Sequence, residues 1–367
     1  MILPERLRHH FLTGRTRPAR PDQVVRWFGA VQAQDFAGAL WALAQRLAAP
    51  TTEAALLAAF DEGAFIRTHV LRPTWHFVAP EDLRWMLALT APRVHAANAA
   101  RYAELGLDAR TRAAAERALA KALAGGVSLT RQELAEALGV AGIPPDGQRL
   151  PHLLMHAELE GVICSGPRRG KQFTHALVDA RVPASPARSR DEALAALMQR
   201  YVASHGPVTA RDAAWWSGLT IQDVRAGLEA AGDALTRWNE DGITWWVAAG
   251  PQAPARSRPR PAGGDDAVHL LPNYDEYVVA YRDRTVLLHP STPVTSLAQS
   301  ALLMQPVVHE GVHAGTWRRA LPTRRGGPVT VDVQWIERPD EAEASESVAA
   351  AERYAAYLGA PLVVEVR

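Results

Sequence analysis

The chain has 367 residues, room for two or three domains, and its 48% hydrophobic and 22% charged residues are the proportions of an ordinary globular protein. The formal net charge of +1 gives no overall basic excess of the kind that marks many nucleic-acid-binding domains. Cys164 is the only cysteine, which excludes an internal disulfide bond and a zinc site made of several cysteines.

The same features predict a cytoplasmic protein without membrane contact. Residues 1–6 lack the apolar core of a signal peptide, and no apolar run is long enough to cross a bilayer. Lysine occurs only at positions 121 and 171, so a site for anions would be built mainly from arginine. Arginine presents a planar fork of donors that suits phosphate groups.

Residues 1–110 are predicted to form a first module of short helices followed by a β-ribbon. Thr52 precedes an apolar helical run that Gly63 should end, and a new helix should start at Pro80. The stretch 65–78 has strand composition, with Pro73 as the expected kink or hairpin point. Helices followed by a ribbon are typical of a winged helix.

Residues 111–185 and 186–262 are predicted to repeat this plan. A capping box at Thr130, a helix from Leu150 to Leu159 and a hairpin with a basic tip at 167–171 form the second module. Capping residues Thr209 and Thr220, then a hairpin over 235–248, form the third. The similarity of residues 128–131 to residues 208–211 indicates an internal repeat.

The remaining chain is predicted to be a linker and a β-rich domain. Residues 250–264 are rich in Pro, Arg and Ala and should form a loop that exposes Arg256, Arg258 and Arg260. Residues 263–367 alternate short β-rich runs with turns, including 285–288 and 307–317, and end in a helix and a strand. This pattern predicts a small β-barrel or half-barrel.

The most informative short motif is Gln32-Ala33-Gln34-Asp35, at the end of an apolar segment. If the backbone there is extended, the two glutamine side chains share one face, whereas in a helix they diverge. A glutamine amide cannot shuttle protons, but it offers donors and an acceptor that position a water molecule. The alternative is that these residues cap a helix or satisfy buried backbone groups.

Other candidate sites are weaker. The sequence contains no phosphate-binding loop and no dinucleotide fingerprint, so no cofactor is expected. His152 and His156 are four residues apart on one predicted helical face, but a third ligand is missing, so we expect no metal site. Asp275, Glu276 and Asp283 could serve acid/base chemistry, or could pair with Arg282 and Arg284 across a domain junction.

Five motifs in order resemble the AlkZ-like winged-helix DNA glycosylases of bacteria. They are Gln32-Ala33-Gln34-Asp35, the segment 67–76 with Arg67-Thr68-His69 and Arg72-Pro73-Thr74-Trp75-His76, residues 207–212, residues 271–277 and residues 315–319. The resemblance spans nearly the whole chain. It implies an α+β fold, C-shaped, with three tandem winged-helix modules followed by a C-terminal β-barrel-like domain. It also implies a Gln-x-Gln motif, on Gln32 and Gln34, that acts on alkylated or crosslinked bases from the concave face. A related branch has an acidic residue at the second position, which this chain lacks.

The chemistry implied by the resemblance is that of a monofunctional glycosylase. An alkylated purine is cationic and already a good leaving group, so cleavage through an oxocarbenium-like state needs a placed water and nearby negative charge. Gln32 and Gln34 would place the water, and Asp35 or the DNA phosphates would stabilise the cation. The expected partner is double-stranded DNA carrying alkylated bases, bound by a monomer. The residues expected to contact DNA are His69, Arg72, Thr74, His76, Arg168, Arg169, Lys171, Arg318 and Arg319.

Two other function classes remain open from the sequence. Winged helices more often read DNA than cut glycosidic bonds, so a non-catalytic regulator is the main alternative. A protein-interaction scaffold is the other. A regulator should give sequence-specific footprints and should still bind DNA normally after Gln32→Ala.

Overall fold

The structure, a computed structural model, describes residues 2–14, 16–250, 267–322, 324 and 326–367. Most of the expected linker, including Arg256, Arg258 and Arg260, lies outside the described residues. Among the helices that are described, none is both long enough and apolar enough to span a bilayer.

The first segment combines helices with a small three-stranded sheet and ends in a long helix. Its elements are α1 (Ile2–His9), α2 (Pro21–Phe28), β1 (Ala30–Gln32), α3 (Phe36–Ala44), α4 (Glu53–Glu62), β2 (Ile66–Val70), β3 (Arg72–Val78) and α5 (Pro80–Glu104). β3 lies at the centre and pairs antiparallel with β1 and β2. As the sequence predicts, Thr52 caps α4 and the left-handed Gly63 ends it.

The hairpin between β2 and β3 turns at Leu71, not at Pro73 as the sequence suggested. Leu71 has a φ of 63°, and Val70 pairs directly with Arg72. Pro73 is accommodated inside β3 because β1 pairs only with residues 76–78, so Pro73 lies in the two-stranded part of the sheet.

The next two segments have the same order of elements as the first. The second contains α6 (Ala109–Ala122), β4 (Leu129–Thr130), α7 (Arg131–Val140), α8 (Arg149–Leu159), β5 (Ile163–Ser165), β6 (Thr174–Leu177) and α9 (Val178–Arg181). The third contains α10 (Arg190–His205), α11 (Ala210–Ser217), α12 (Ile221–Ala230), β7 (Leu235–Glu240) and β8 (Ile243–Ala248). Both have the predicted capping boxes, at Thr130 and Thr209. In the third, a single bridge from Val208 to Trp246 stands where the first two have a short strand.

The C-terminal region is built on a five-stranded sheet, the curled half-barrel expected there. Its elements are β9 (Val268–Leu270), α13 (Glu276–Val279), α14 (Ser296–Ala301), β10 (Pro306–His309), β11 (Val312–Ala320), β12 (Val329–Trp335), α15 (Glu341–Leu358) and β13 (Leu362–Val366). The strand order is β13-β12-β11-β10-β9, and only β12 and β13 are parallel, because α15 connects them. The predicted β-rich run at 285–288 is wrong: Thr285–Leu287 is a 3₁₀ turn, begun by a hydrogen bond from the Thr285 N–H to Asp283.

Helices α2, α3 and α4 of the first segment share one apolar core with this C-terminal sheet. Trp41 of α3 packs against Tyr354 of α15, and its indole N–H donates to the Leu270 carbonyl at 2.8 Å. Trp317 of β11 donates to the neighbouring Leu271 carbonyl at 2.6 Å. The boundary predicted at residue 263 therefore separates segments of sequence but does not separate two cores, and the four-domain division stays a prediction.

The β2–β3 hairpin is held between the other two segments. On one side, Glu158 of α8 accepts hydrogen bonds from the backbone and the ring of His69. On the other side lies Gly218, which follows α11 with a φ of 68°; a Cβ atom there would lie 2.6 Å from the Leu71 carbonyl oxygen. Only glycine combines that backbone conformation with so close an approach.

A buried ion pair fixes the first segment to the segment that follows β9. The Arg46 guanidinium donates to the two Asp275 carboxylate oxygens at 2.6 and 3.0 Å, and both side chains are almost completely buried. A buried charge that loses its partner costs far more than an exposed one, because water cannot replace the lost partner.

We expect Arg46→Ala to lower the free energy of unfolding by about 3–5 kcal/mol, since it leaves the Asp275 carboxylate buried without a counter-ion. Urea unfolding followed by circular dichroism measures the change. The control is Arg169→Ala, which breaks an exposed ion pair with Glu133 at 2.7 Å and should cost less than about 1 kcal/mol. Equal losses for the two variants would contradict the importance given to Arg46.

Candidate functional site

The Gln-x-Gln motif lies where β1 ends, in extended backbone. Gln32 pairs across the sheet with His76, and the next amide, of Ala33, donates to the Trp75 carbonyl at 2.7 Å. The chain enters α3 only after Asp35. The extended alternative is thus the observed one, because the edge of the sheet continues to hold the backbone to Ala33.

The two glutamines have different surroundings. Gln32 is buried; its backbone N–H donates to Glu276 at 2.7 Å and its Oε1 accepts from Arg72 at 3.0 Å. Gln34 is exposed, and its Oε1 accepts a 3.4 Å hydrogen bond from the Trp75 backbone N–H. Within the described chain, neither Nε2 has a hydrogen-bond acceptor, and each Oε1 keeps a second lone pair. Gln32 is therefore held by Glu276 and Arg72, whereas Gln34 faces solvent.

The group behind Gln32 is the carboxylate of Glu276, which is buried. It also accepts from the Trp216 indole at 3.1 Å, and the His205 Nε2 lies 3.5 Å away. Burial lowers the pKa of His205, and Glu276 offsets only part of that effect. Glu276 connects β1 to the third segment and is a positioning group for Gln32.

The other carboxylates in this stretch also have structural partners. Asp275 holds Arg46, and Asp283 begins the 3₁₀ turn. Within the described residues, neither Arg282 nor Arg284 forms the ion pairs that the sequence suggested. The backbone N–H of Arg282 donates to Asp212, and the side chain of Arg284 donates to the Val278 carbonyl.

Asp35 caps α3. Its Oδ1 accepts from the Gly38 N–H at 3.0 Å, and its Oδ2 accepts from Asn273 at 3.3 Å. Gly38 is required there, because a Cβ would lie 2.8 Å from the Asp35 Oδ2. The carboxylate is therefore oriented towards the start of the helix.

A cavity of about 570 Å³ lies beside the motif, between the β2–β3 hairpin and the second segment. Arg67 lines it, donates to the Ala33 carbonyl at 3.0 Å and stacks over Trp75 at 4.3 Å and Phe173 at 5.1 Å. Burial lowers the pKa of Arg67 to about 10, so the guanidinium stays charged at neutral pH. Lys171 also lines this cavity.

The floor of the cavity contains a buried carboxylate between two histidines. Glu158 lies against the His69 ring and 3.4 Å from the His175 Nε2. Burial by itself would raise the pKa of Glu158, but the two histidines outweigh it, and the net pKa lies well below the usual range. Glu158 thus stays ionised and holds the hairpin to the second segment.

Several residues expected to contact DNA are instead buried or paired with other protein groups. His76 is fully buried, and His69 is paired with Glu158. The Oγ1 of Thr74 is also buried. Arg72, largely buried, holds Gln32.

The basic hairpin tip at residues 167–171 is only partly available to bind DNA. Arg168 forms a bidentate pair with Asp61 of α4 at 2.9 and 3.2 Å, so it joins the first two segments. Arg169 pairs with Glu133 and the Ser128 carbonyl. Lys171 and Arg318 are exposed without a partner among the described residues. Arg319 lies over the Tyr354 ring at 5.5 Å.

Sequence reasoning missed a cluster of exposed arginines where the third segment meets the C-terminal region. Arg211, Arg225 and Arg282 line one concavity of about 550 Å³ with the exposed Trp215. Trp215 also lies 6.0 Å from the Arg72 guanidinium, which places this surface next to the motif. The sequence placed Arg211 within a capping motif and offered Arg282 only as an ion-pair partner, because the three arginines converge through tertiary packing.

Comparisons with known proteins agree with this geometry. A family model described as "DNA glycosylase AlkZ-like" matches residues 25–357. A curated protein of Streptomyces sahachiroi named "Interstrand DNA cross-link repair glycosylase" is 28% identical over 328 residues, which are 85% of each chain. The solved structure of Streptomyces sahachiroi DNA glycosylase AlkZ superposes with a TM-score of 0.79 and 22% identity, over 100% of this chain and 98% of that one.

We expect Glu158→Gln to reduce stability in a pH-dependent way. Because the folded-state pKa of Glu158 lies below its ordinary value of 4.5, its contribution is complete above that pH and is lost as pH falls through the folded-state pKa. The difference in free energy of unfolding between wild type and variant, measured in urea at several pH values, should be largest at neutral pH and should shrink below about 4.5. The exposed Glu104→Gln serves as control, and a difference that does not change with pH would overturn the assignment.

Proposed function

Because the family model covers residues 25–357, the chain belongs to the AlkZ-like DNA glycosylase family, and we propose that its substrates are alkylated, cationic purines in double-stranded DNA. The chain is a DNA glycosylase, a hydrolase of N-glycosidic bonds. The name of its Streptomyces sahachiroi relative makes interstrand crosslinks a further candidate substrate. The expected monomeric state and cytoplasmic location stay predictions.

The observation that carries the proposal is the pair of amides at the end of β1. Gln32 is held by Glu276 and Arg72, whereas Gln34 is exposed beside a cavity. The alternative, that the glutamines satisfy backbone groups, accounts for the contact of Gln34 with the Trp75 N–H but not for the solvent-facing Nε2 of Gln34. Capping of α3 is instead performed by Asp35.

The chemistry needs little from the protein. The departing base already carries a positive charge, so the glycosidic bond breaks towards an oxocarbenium-like state without a strong general base. The free lone pair of a glutamine Oε1 accepts a hydrogen bond from the attacking water and fixes its position. We propose that Gln34 holds this water and that Gln32 completes the site. The buried Glu276 supplies negative charge behind Gln32 and offsets the positive charge of Arg72. Asp35 faces the helix start, so we assign it mainly a positioning role.

The cavity beside the motif is the proposed receptor for the excised base. Its volume of about 570 Å³ lies within the range of small-molecule pockets and exceeds what an unmodified purine needs. The stacked Arg67 and Trp75 offer flat faces to a base turned out of the duplex. The volume beyond that of a purine accommodates the added group of a bulky adduct.

The proposed DNA contacts combine predicted and newly recognised residues. Lys171 and Arg318 remain candidates because they are exposed, and Arg211, Arg225 and Arg282 join them. We do not retain His69, His76 and Arg168 as direct phosphate contacts, because burial or internal ion pairs occupy them. The thrice-repeated order of elements supports the reading of the first three segments as winged-helix modules, and the C-shaped frame stays a prediction.

We expect Gln34→Ala to abolish release of an alkylated purine while the melting temperature stays within about one degree, since exposed substitutions have little effect on stability. Mass spectrometry of the base liberated from an alkylated duplex, with alkali-labile sites as the second readout, measures activity. Gln334→Ala, at an exposed glutamine of β12, is the matched control and should keep full activity.

Failure of the wild-type protein to release a base from any alkylated or crosslinked duplex would end the glycosylase proposal for these substrates. Sequence-specific footprints that survive Gln32→Ala would favour the regulator instead. Breakage of the strand without alkali would indicate a lyase step, with Lys171, which lines the cavity, as the amine to examine.

We expect Arg225→Ala to weaken binding to undamaged duplex DNA of any sequence and to reduce the slope of log Kobs against log salt by about one. Fluorescence anisotropy at several salt concentrations measures both quantities. Arg101→Ala is the control, because Arg101 is exposed on α5 and paired with Glu104 at 2.8 Å. An unchanged slope for Arg225→Ala would remove this surface from the proposed interface.

A further inference from the structure

Two histidines and two glutamates meet between the first and second segments. His95 of α5, His156 of α8 and Glu160 at the end of α8 place potential ligand atoms within 4.8 Å of one another. The His95 Nε2 lies 2.9 Å from a Glu160 oxygen. Glu116 of α6 lies on the other side of His156, with its Oε1 2.8 Å from the Nε2.

This grouping differs from the pair that the sequence suggested. His152 and His156 share a helix, but His152 is exposed and its ring bonds to the Gln148 carbonyl one turn earlier. The missing ligand comes from α5, which crosses α8 in the folded protein. No spacing in the sequence could have indicated it.

Each histidine has a ring nitrogen available to a metal. The His95 Nε2 and the His156 Nδ1 are buried and have no hydrogen-bond partner within the described chain. The His95 Nδ1 lies 3.3 Å from the Tyr102 hydroxyl, an outer contact of the kind that orients metal-binding histidines.

The local charges and exposure also fit a cation. Glu116 and Glu160 oppose the nearby Arg112 and Arg117, and Arg112 is turned over the Tyr102 ring at 4.8 Å. Side-chain exposures of 22% for His95, 8% for His156 and 44% for Glu160 give an ion a path from solvent.

We propose that His95, His156 and Glu160 bind a zinc ion, with water as the fourth ligand, and that this ion fastens α5 to α8. Two imidazoles with carboxylate oxygens form a donor set that zinc accepts and that magnesium or calcium, which prefer all-oxygen sites, do not. Ligand atoms around tetrahedral zinc lie roughly 3.4 Å apart. Small rotations of the side chains would bring the present group to that spacing. The site is separate from the Gln motif, so its role is structural.

Zinc titration of the full-length, chelator-treated protein tests the proposal. We expect one equivalent of Zn²⁺ to bind, measured by competition with a chromophoric chelator, and to raise the melting temperature by several degrees. Cobalt(II) should give the visible absorption of a tetrahedral site. The variants are His95→Ala, His156→Ala and the more conservative Glu160→Gln, and each should weaken zinc binding at least tenfold.

His152→Ala is the matched control, a histidine of the same helix outside the cluster, and it should bind zinc like the wild type. If His156→Ala misfolds, Glu160→Gln at the exposed ligand still decides the question. Absence of stoichiometric zinc binding by the wild type would show that the cluster is two histidine–carboxylate pairs only. Loss of binding in His152→Ala but not in Glu160→Gln would equally overturn the site.

Discussion

The arrangement of the candidate site depends on one buried carboxylate. Glu276 accepts hydrogen bonds from the Gln32 backbone and the Trp216 indole and lies near His205, so it joins β1 to the third segment. A buried ion is tolerated only when its lone pairs are satisfied, and each partner here comes from a separate part of the chain. The position of Gln32 is therefore coupled to the packing of the whole molecule.

The β2–β3 hairpin fixes the positions of the glutamine side chains. It carries Arg72 and Trp75, which hold the two glutamine amides, and it is wedged between α8 and the turn after α11. The proposed role of the glutamines in orienting water requires that these side chains be fixed, and two neighbouring segments hold the hairpin that contacts them. The exposed amide of Gln34 is thus held by a hairpin whose own position is fixed.

The sequence predicted local features well and distant partnerships poorly. Capping boxes at Thr130 and Thr209 were correct, because their hydrogen bonds connect residues only three positions apart. The hairpin turn was misplaced at Pro73, whose tolerance depends on how far β1 extends. The partners of Asp275 and Glu276 lie 229 and 244 residues away along the chain, beyond any periodicity or spacing argument. The arginines around Trp215 were missed for the same reason.

The core that α3 shares with β11 and α15 has a consequence for the order of synthesis. A ribosome completes residues 30–78, with the whole Gln-bearing sheet, long before it makes Tyr354, against which Trp41 packs. Until then the face of α3 that carries Trp41 lacks this partner and is open to misassociation. The segment that carries the proposed site is consequently translated first but completes its packing last, and a transcript truncated near its 3′ end should yield a protein that is defective at its opposite terminus.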